Sequence, residues 1–162
     1  MKVIVINGAM GAGKTAVGRY IAGTHAGTAF IDGDWCLDIH PFVGSPETRA
    51  MAADNILHMI GNYAKCPVCR MIVLVWLMDD ESVYRTIMQG VSETGLEAKS
   101  VTLVCGEREL EERWRNDKAC EWRTDEWLAV SKASLPYFSS LENVIDTSGL
   151  TVEQTAELIM GM

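Results

Sequence analysis

An eight-residue stretch near the start of the chain, from Gly8 to Thr15, constrains the fold more than any other feature. It reads Gly-Ala-Met-Gly-Ala-Gly-Lys-Thr and fits the spacing G-x-x-x-x-G-K-[ST]. The apolar run Val3 to Ile6 precedes it, and a helix-like segment, Ala16 to Ala22, follows it. Strand, glycine-rich loop and helix in this order predict a phosphate-binding loop.

Each fixed position of this loop has a physical reason. Glycines let the backbone turn, so that successive N–H groups and the positive end of the next helix converge on a phosphate. Lys14 is predicted to hold the β- and γ-phosphates, and Thr15 to ligate Mg²⁺ through its hydroxyl. The alternative, a glycine-rich turn that binds nothing, matches by chance in about one such chain in two hundred. We therefore expect ATP with Mg²⁺, contacted by Gly8, Met10, Gly11, Ala12, Gly13, Lys14, Thr15 and Ala16.

Length and charge limit what such a site can serve. The chain has 162 residues, 48 % of them hydrophobic, and a net charge of −8. One core is expected, so we predict a single domain, residues 1–162. An acidic chain is poorly suited to nucleic acid, because that affinity rests on Lys and Arg neutralising phosphates. The longest apolar run, Met71 to Met78, is too short for a membrane span, and no signal-peptide pattern precedes the first strand. We expect a cytoplasmic protein with no membrane partner, and the oligomeric state stays open.

Two aspartates follow the second predicted strand. Thr28 to Ile31 has a strand pattern and leads into Asp32-Gly33-Asp34. Ligands of open α/β sheets bind at the carboxyl ends of the strands, so both carboxylates can reach the crevice beside the phosphate loop. We predict that Asp32 lies near the Mg²⁺ ion and that Asp34 orients and deprotonates an acceptor hydroxyl. The alternative is a polar turn, in which Asp-Gly is common.

The segment between the second and third strands, residues 35–64, is predicted to form the acceptor region. It begins with an irregular stretch, after which Ser45 and Pro46 start a helix. Trp35, His40 and Phe42 favour a partly apolar, hydroxyl-bearing acceptor over a second nucleotide. Packing in the core explains these three residues equally well.

Asp79 follows the most apolar predicted strand, Arg70 to Met78. A carboxylate at the end of such a strand can hold Mg²⁺ through water, so Asp79 is a third candidate for the metal site. Acidic residues also suit the first turn of a helix, and we predict one over Asp80 to Val91.

Five cysteines are present in a chain large enough to fold without disulfides, so we expect them to be reduced. Cys66-Pro67-Val68-Cys69 fits the C-x-x-C spacing of redox and zinc sites. It has no second pair, however, and it precedes a strand instead of opening a helix. The cysteines are expected to be structural or incidental.

The predicted helix after the fourth strand leads into a polar, basic-leaning stretch, and we interpret residues 113–124 as a lid. Arg113 and Arg115 each follow a glutamate by four residues, so ion pairing within the helix is an alternative explanation for them. The next helix, Asp125 to Leu135, is expected to end before Pro136.

Five predicted strands alternating with helices indicate an α/β doubly wound parallel sheet with the nucleotide at its carboxyl edge. The whole chain resembles the small P-loop kinases, a superfamily that includes nucleoside monophosphate, shikimate, gluconate and adenylylsulfate kinases and chloramphenicol phosphotransferase. The likeness rests on the Gly8 to Thr15 loop, on Asp32-Gly33-Asp34, and on Leu110-x-x-Arg113 before a last strand that ends Ile145-Asp146-Thr147-Ser148-Gly149.

The resemblance implies a three-layer α/β/α fold whose five strands have the order 2-3-1-4-5, with ATP and Mg²⁺ as cofactors. It also implies that arginines of the lid clamp the transferring phosphoryl group, which makes Arg113 and Arg123 catalytic candidates and places Arg115 on the nucleotide. The turn after the last strand is implied to lie near the base: Thr147, Ser148 and Gly149.

These features predict a phosphotransferase that moves the γ-phosphoryl group of ATP to a hydroxyl or phosphate of a small molecule. The alternatives are a nucleoside monophosphate kinase and a non-catalytic nucleotide-binding or sensing protein on the same scaffold. Nucleoside monophosphate kinases carry a Gly-Phe-Pro-Arg-like segment after the third strand, where this chain has Trp76-Leu77-Met78-Asp79-Asp80. That difference argues against a nucleotide as the acceptor. The chain has neither Asn-Lys-x-Asp nor Leu-Ser-Gly-Gly, which argues against GTPases and transporter ATPases.

Overall fold

The structure is a computed structural model that describes residues 1–118, 120 and 123–162. The strands are β1, Lys2–Gly8; β2, Thr28–Asp32; β3, Met71–Val75; β4, Glu97–Val104; and β5, Val144–Asp146. They form one sheet in the order β2-β3-β1-β4-β5, and every neighbouring pair is parallel. The strand order expected from the resemblance is confirmed.

Helices cover both faces of this sheet. They are α1, Lys14–Thr24; α2, Pro46–Ala64; α3, Glu81–Glu93; α4, Glu107–Asn116; α5, Asp125–Ser139; and α6, Val152–Gly161. A short 3₁₀ helix, Gly33–Leu37, follows β2. One core cluster joins the sheet to α1, α4, α5 and α6, and the other joins it to α2 and α3. The three-layer α/β/α architecture is therefore confirmed. None of the helices in the described ranges has the length and apolar character needed to cross a membrane.

Strand β1 explains why the core has two halves. Ile4 and Ile6 face one cluster, while Val3 and Val5 face the other, and all four side chains are fully buried. A strand buried on both faces needs a continuous apolar run, which is what the sequence has before the phosphate loop.

The helix starts follow local capping chemistry. In α2, the Ser45 hydroxyl accepts from the Thr48 N–H at 3.3 Å, and the Thr48 hydroxyl accepts from the Ser45 N–H at 2.9 Å. Pro46 occupies the first helical position. Thr151 and Gln154 form the same reciprocal cap at α6. Both starts were predictable because a capping box is made by residues close together in the chain.

Helix α5 runs beyond its predicted end. The sequence predicts an end before Pro136, but the helix continues to Ser139. Proline inside a helix removes a backbone hydrogen bond, at a cost of about 3 kcal/mol. Phe138 lies on the far side of that proline and is fully buried, which stabilises the longer helix by about 1.5–3 kcal/mol. Packing of the last turn therefore offsets much of the cost, and the expected end is wrong.

The predicted lid, residues 113–124, begins inside α4, because this helix continues through Asn116. Thr124 closes the segment at its other end, where its hydroxyl accepts from the Trp127 N–H at 3.3 Å and caps α5. Three residues of the predicted lid lie outside the described residues: Ala119, Glu121 and Trp122.

Candidate active site

The loop from Gly8 to Thr15 connects the carboxyl end of β1 to α1, as predicted. Gly8, Gly11 and Gly13 have φ angles of 141°, 81° and 99°, a region that residues with a Cβ rarely adopt. A Cβ on Gly8 would also overlap the carbonyl oxygen of Leu103 on β4. Conformation and close packing therefore both require glycine at the first position of the loop.

The loop is fastened to the core through its non-glycine residues. Ala9 and Ala12 are fully buried, and the Met10 carbonyl accepts a hydrogen bond of 2.7 Å from the Ser131 hydroxyl on α5. These anchors hold the backbone in place, so its N–H groups need little reordering when a phosphate binds.

The Lys14 ammonium folds back over the loop. Nζ donates to the carbonyls of Gly8 and Ala9, both at 2.9 Å. Burial lowers the pKa of Lys14 to about 8, although the carboxylates of Asp34 and Asp32 oppose this shift. These two hydrogen bonds are to neutral carbonyls, so they do not neutralise the ammonium, which can still receive an anion.

Thr15 and Asp32, two predicted metal residues, are brought together. The Thr15 hydroxyl donates to Asp32 Oδ2 at 3.3 Å, although β3 lies between β1 and β2 in the sheet. Asp32 Oδ1 accepts from the Asp34 N–H at 3.2 Å and caps the 3₁₀ helix, which fixes the carboxylate. A hydroxyl beside a carboxylate is the hard oxygen donor set that Mg²⁺ prefers.

The described ranges hold no group of three or more His, Cys, Asp or Glu residues that could bind a metal. Mg²⁺ in proteins commonly keeps several waters and binds one or two carboxylates together with substrate phosphates. Thr15 and Asp32 fit such an ion beside a phosphate loop, and they do not form a closed metal cage.

Asp34 lies close enough to Asp32 and Lys14 for their charges to shift its pKa. Removal from water raises the pKa of the Asp34 carboxyl, Asp32 raises it further, and Lys14 opposes the shift. A carboxylate with a raised pKa is a better proton acceptor near neutral pH than an ordinary aspartate. Lys14, Thr15, Asp32 and Asp34 thus form one cluster, as the sequence predicts.

Asp79 has a different neighbour. Its carboxylate lies 3.8 Å from Arg49 Nη1 on α2, and both side chains are about half exposed. It makes no hydrogen bond with Thr15 or Asp32. A metal role for Asp79 stays a prediction without a structural contact behind it.

Asn7 is a site residue that the sequence reasoning did not single out. Its fully buried side chain accepts from the Met78 N–H at 2.9 Å and donates to the Met78 carbonyl at 3.1 Å. It also accepts from the Gly8 N–H at 2.8 Å. Asn7 therefore ties the start of the phosphate loop to the segment after β3. The sequence feature that could have indicated this role is a single amide side chain at the end of an apolar strand.

Arg113 joins three parts of the site. Its Nε donates to Glu109 at 3.0 Å within α4, which confirms the predicted i,i+4 pair. Nη1 donates to the Thr147 hydroxyl at 2.9 Å and to the Ala12 carbonyl at 3.4 Å, and Nη2 donates to the Thr147 carbonyl at 2.8 Å. The guanidinium thus bridges the phosphate loop and the turn after β5.

Arg123 also faces the loop. Its Nη2 lies 2.8 Å from Asp117 Oδ2, and its guanidinium stacks 5.1 Å from the centre of the Trp114 ring. The positive charge of Arg123 contributes to lowering the pKa of Lys14, which places it within electrostatic reach of the ammonium. Arg123 thus lines the same cavity as Lys14, and its catalytic role stays a prediction.

Arg115 points elsewhere. Its guanidinium binds Glu111 at 2.9 Å and lies 3.7 Å from Asp125. It lines a surface depression with Glu107 and Lys132. Arg115 is not among the residues that line the cavity beside the phosphate loop. The structure does not bring Arg115 to the predicted nucleotide site.

A cavity of about 520 Å³ lies beside the phosphate loop. Its walls include the loop itself, Arg113 and Arg123, and Thr147 with Leu150. Ser148 and Gly149, predicted near the base, belong to the same turn, where the Ser148 hydroxyl accepts from the Gly106 N–H at 2.9 Å. Lys14 lines the same cavity.

The predicted acceptor region presents exposed aromatic side chains. Trp35 is 71 % exposed and Phe42 is 67 % exposed, so core packing does not explain them. The Arg19 guanidinium stacks between two rings, 4.8 Å from Phe30 and 5.1 Å from Trp35. Asn55 on α2 donates to the Cys36 carbonyl at 3.1 Å and links the 3₁₀ helix to α2.

Comparison with known proteins gives similar structures but no sequence relatives. No protein-family model matches the chain, and no curated protein matches it in sequence. The tunicamycin resistance protein of Deinococcus radiodurans is 23 % identical, with a TM-score of 0.76 over 99 % of this chain and 94 % of that one. A gluconokinase from Sinorhizobium meliloti 1021 is 16 % identical, with a TM-score of 0.72 over 99 % and 90 % of the two chains.

A shikimate kinase from Bacteroides thetaiotaomicron is 20 % identical and has a TM-score of 0.68, covering 98 % of this chain and 96 % of that one. At these identities the likeness shows the fold. The chain has the fold of the small P-loop kinases over nearly its whole length, which confirms the resemblance at the level of structure.

Proposed function

We propose that this chain is an ATP–Mg²⁺-dependent phosphotransferase that moves the γ-phosphoryl group to a hydroxyl of a small molecule. The observation that carries the proposal is the cluster of Lys14, Thr15, Asp32 and Asp34 at the carboxyl edge of the sheet. Lys14 and Thr15 come from the phosphate loop, while the two aspartates come from β2 and the 3₁₀ helix, and the 3.3 Å contact of Thr15 with Asp32 joins the two parts.

The residues divide the work by their chemistry. Lys14 and Arg123 supply positive charge for the β- and γ-phosphates, and Arg113 holds the loop against the turn that flanks the base. Thr15 and Asp32 would hold Mg²⁺. The chemistry that a bound Mg²⁺ supplies is neutralisation of charge on the phosphate oxygens. Asp34 orients the acceptor and takes up the proton of its hydroxyl.

The acceptor side favours a partly apolar molecule with a hydroxyl group. Trp35 lies directly after Asp34 and exposes its ring, and Phe42 exposes another apolar surface in the same segment. These two exposed rings offer apolar surface that an acceptor could contact. Two proteins of similar fold, a gluconokinase and a shikimate kinase, support a small-molecule acceptor.

The test is a screen of hydroxyl-bearing metabolites and nucleosides with ATP and Mg²⁺, read out by mass spectrometry of phosphorylated products. Wild-type protein should phosphorylate at least one acceptor, and Asp34→Asn should slow that transfer by about 10²–10⁴-fold, as expected for loss of a general base. Glu157→Gln removes an exposed carboxylate on α6 and should leave the rate unchanged.

Three outcomes contradict the proposal or a part of it. Transfer at an undiminished rate by Asp34→Asn removes the assigned base. ATP binding without any phosphorylated product favours the non-catalytic alternative, while a nucleoside monophosphate as the sole acceptor favours a nucleotide kinase.

A further inference from the structure

The C-x-x-C segment, Cys66 to Cys69, forms a tight turn between α2 and β3. The Cys69 N–H donates to the Cys66 carbonyl at 3.1 Å, which is the i to i+3 hydrogen bond of a β-turn. Such a turn holds its first and last Cα atoms within about 7 Å of each other, and disulfides span Cα separations of about 4.4–6.8 Å. The two sulfurs can therefore be bridged with little movement of the backbone.

The turn is fixed at both ends by the surrounding fold. The Cys66 N–H donates to the Tyr63 carbonyl at 3.0 Å, and the Arg70 N–H donates to the Gly27 carbonyl at 2.8 Å. Gly27 has a φ of 77°, and a Cβ there would lie 2.9 Å from the Val68 carbonyl oxygen. The backbone thus keeps the two cysteines together whether or not they are bonded.

The two thiols differ in their surroundings. Cys69 packs against the core cluster of α2 and α3, whereas Cys66 does not, and both are half-buried. Hydrogen bonding from the Val68 N–H, and also from the thiol and N–H of Cys69, lowers the pKa of the Cys66 thiol. Burial and the neighbouring Cys66 raise the pKa of Cys69. An outer thiol with a lowered pKa beside an inner one is the arrangement of an attacking and a resolving cysteine.

We propose that Cys66 and Cys69 form a reversible thiol–disulfide site that reacts with small disulfides, with Cys66 attacking and Cys69 resolving. The Cys66 thiolate attacks one sulfur of a disulfide R–S–S–R and releases one thiol R–SH after protonation. Cys69 then loses its proton, its sulfur attacks Cys66 Sγ, and the second R–SH leaves. In sum, two protein thiols are oxidised to one disulfide, and the small disulfide is reduced to two thiols.

This site is separate from the candidate active site. The turn precedes the first residue of β3, Met71, which pairs with Thr28 at the start of β2. It therefore lies at the amino edge of the sheet, whereas the phosphate loop lies at the carboxyl edge. The inference does not rest on the proposed phosphotransferase.

The experiment uses the reduced full chain, incubated with oxidised glutathione, quenched with acid and alkylated with N-ethylmaleimide. Trypsin cleavage after Lys65 and Arg70 releases both cysteines in one peptide, residues 66–70. We expect this peptide to lose both alkylation sites and to be lighter by two hydrogen atoms than its reduced form. Dithiothreitol should restore both sites.

Single variants separate the two roles. Cys69→Ser should trap Cys66 as a stable mixed disulfide with glutathione, and Cys66→Ser should leave Cys69 reacting far more slowly. Cys36→Ser, which removes a cysteine elsewhere in the fold, should leave the internal disulfide unchanged. Full alkylation of residues 66–70 after oxidised glutathione, or equal trapping of glutathione in the two single variants, overturns the proposal.

Discussion

The fold lowers the pKa of Lys14 far enough for a titration to detect the change. Its pKa of about 8 means that the free protein loses this proton near pH 8. Phosphates favour the charged ammonium, so binding ATP raises the pKa and draws a proton from solution. We predict an uptake of about half a proton per ATP near pH 8.

Calorimetry in two buffers with different ionisation enthalpies measures that uptake directly. Lys14→Arg is the matched control, because its guanidinium stays charged at this pH and should abolish the uptake. The same uptake in wild type and in Lys14→Arg would show that another group takes the proton.

Gly8 is a second residue whose identity is set by its surroundings. Gly8→Ala should destabilise the protein by about 2 kcal/mol or more, because alanine must adopt a positive φ and its Cβ overlaps Leu103. Gly23→Ala is the matched control: its Cβ would meet no atom within 4 Å, and its φ is not positive. In helix α1 that change should stabilise the protein by about 0.5–1 kcal/mol. Urea unfolding of the two variants gives both values, and equal stabilities would contradict the account.

At the scale of elements, α4 carries two arginines that the sequence could not tell apart. Arg113 and Arg115 both follow a glutamate by four residues, yet only Arg113 reaches the phosphate loop. We predict that Arg113→Met weakens ATP binding by about tenfold or more, because it removes a charged group with several hydrogen bonds.

The matched control is Arg115→Met, which should change ATP affinity less than about twofold, since its ion pairs lie on an exposed surface of α4. Titration calorimetry of both variants measures the difference. A larger loss in Arg115→Met than in Arg113→Met would support the sequence-based assignment of Arg115 and contradict the placement described here.

Which elements were predictable depends on whether their determinants are local. The starts of α2 and α6 follow from Ser45 and Thr151, because a cap involves residues three apart. The end of α5 does not, because Phe138 is buried against parts of the chain far away in sequence. The sequence predicts the fourth strand over Val101 to Cys105, but β4 begins at Glu97. Its polar first half pairs only with β1, because the short β5 pairs from Thr102 onward.

At the scale of the whole molecule, the place of the Gly8 to Thr15 loop between β1 and α1 was predictable, because its pattern lies in eight consecutive residues. Asp32 and Asp34 could be predicted as site residues once the end of β2 was expected at the same edge of the sheet as the loop. The bonds of Arg113 to Thr147, and of Asn7 to Met78, join residues separated by 34 and 71 positions. No local pattern encodes such pairings, since they arise only when the sheet closes.

We propose that the phosphate loop and the end of β2 together bind ATP with Mg²⁺. The most direct measurement is calorimetric titration of ATP, with Mg²⁺ and with a chelator, on wild type and on Thr15→Val. Mg²⁺ should tighten ATP binding to wild type by about tenfold or more, a gain of about 1.4 kcal/mol. Thr15→Val should lose this gain while its affinity under chelator stays the same. Wild-type protein that binds no ATP, or Thr15→Val that keeps the full effect of Mg²⁺, would contradict the proposal.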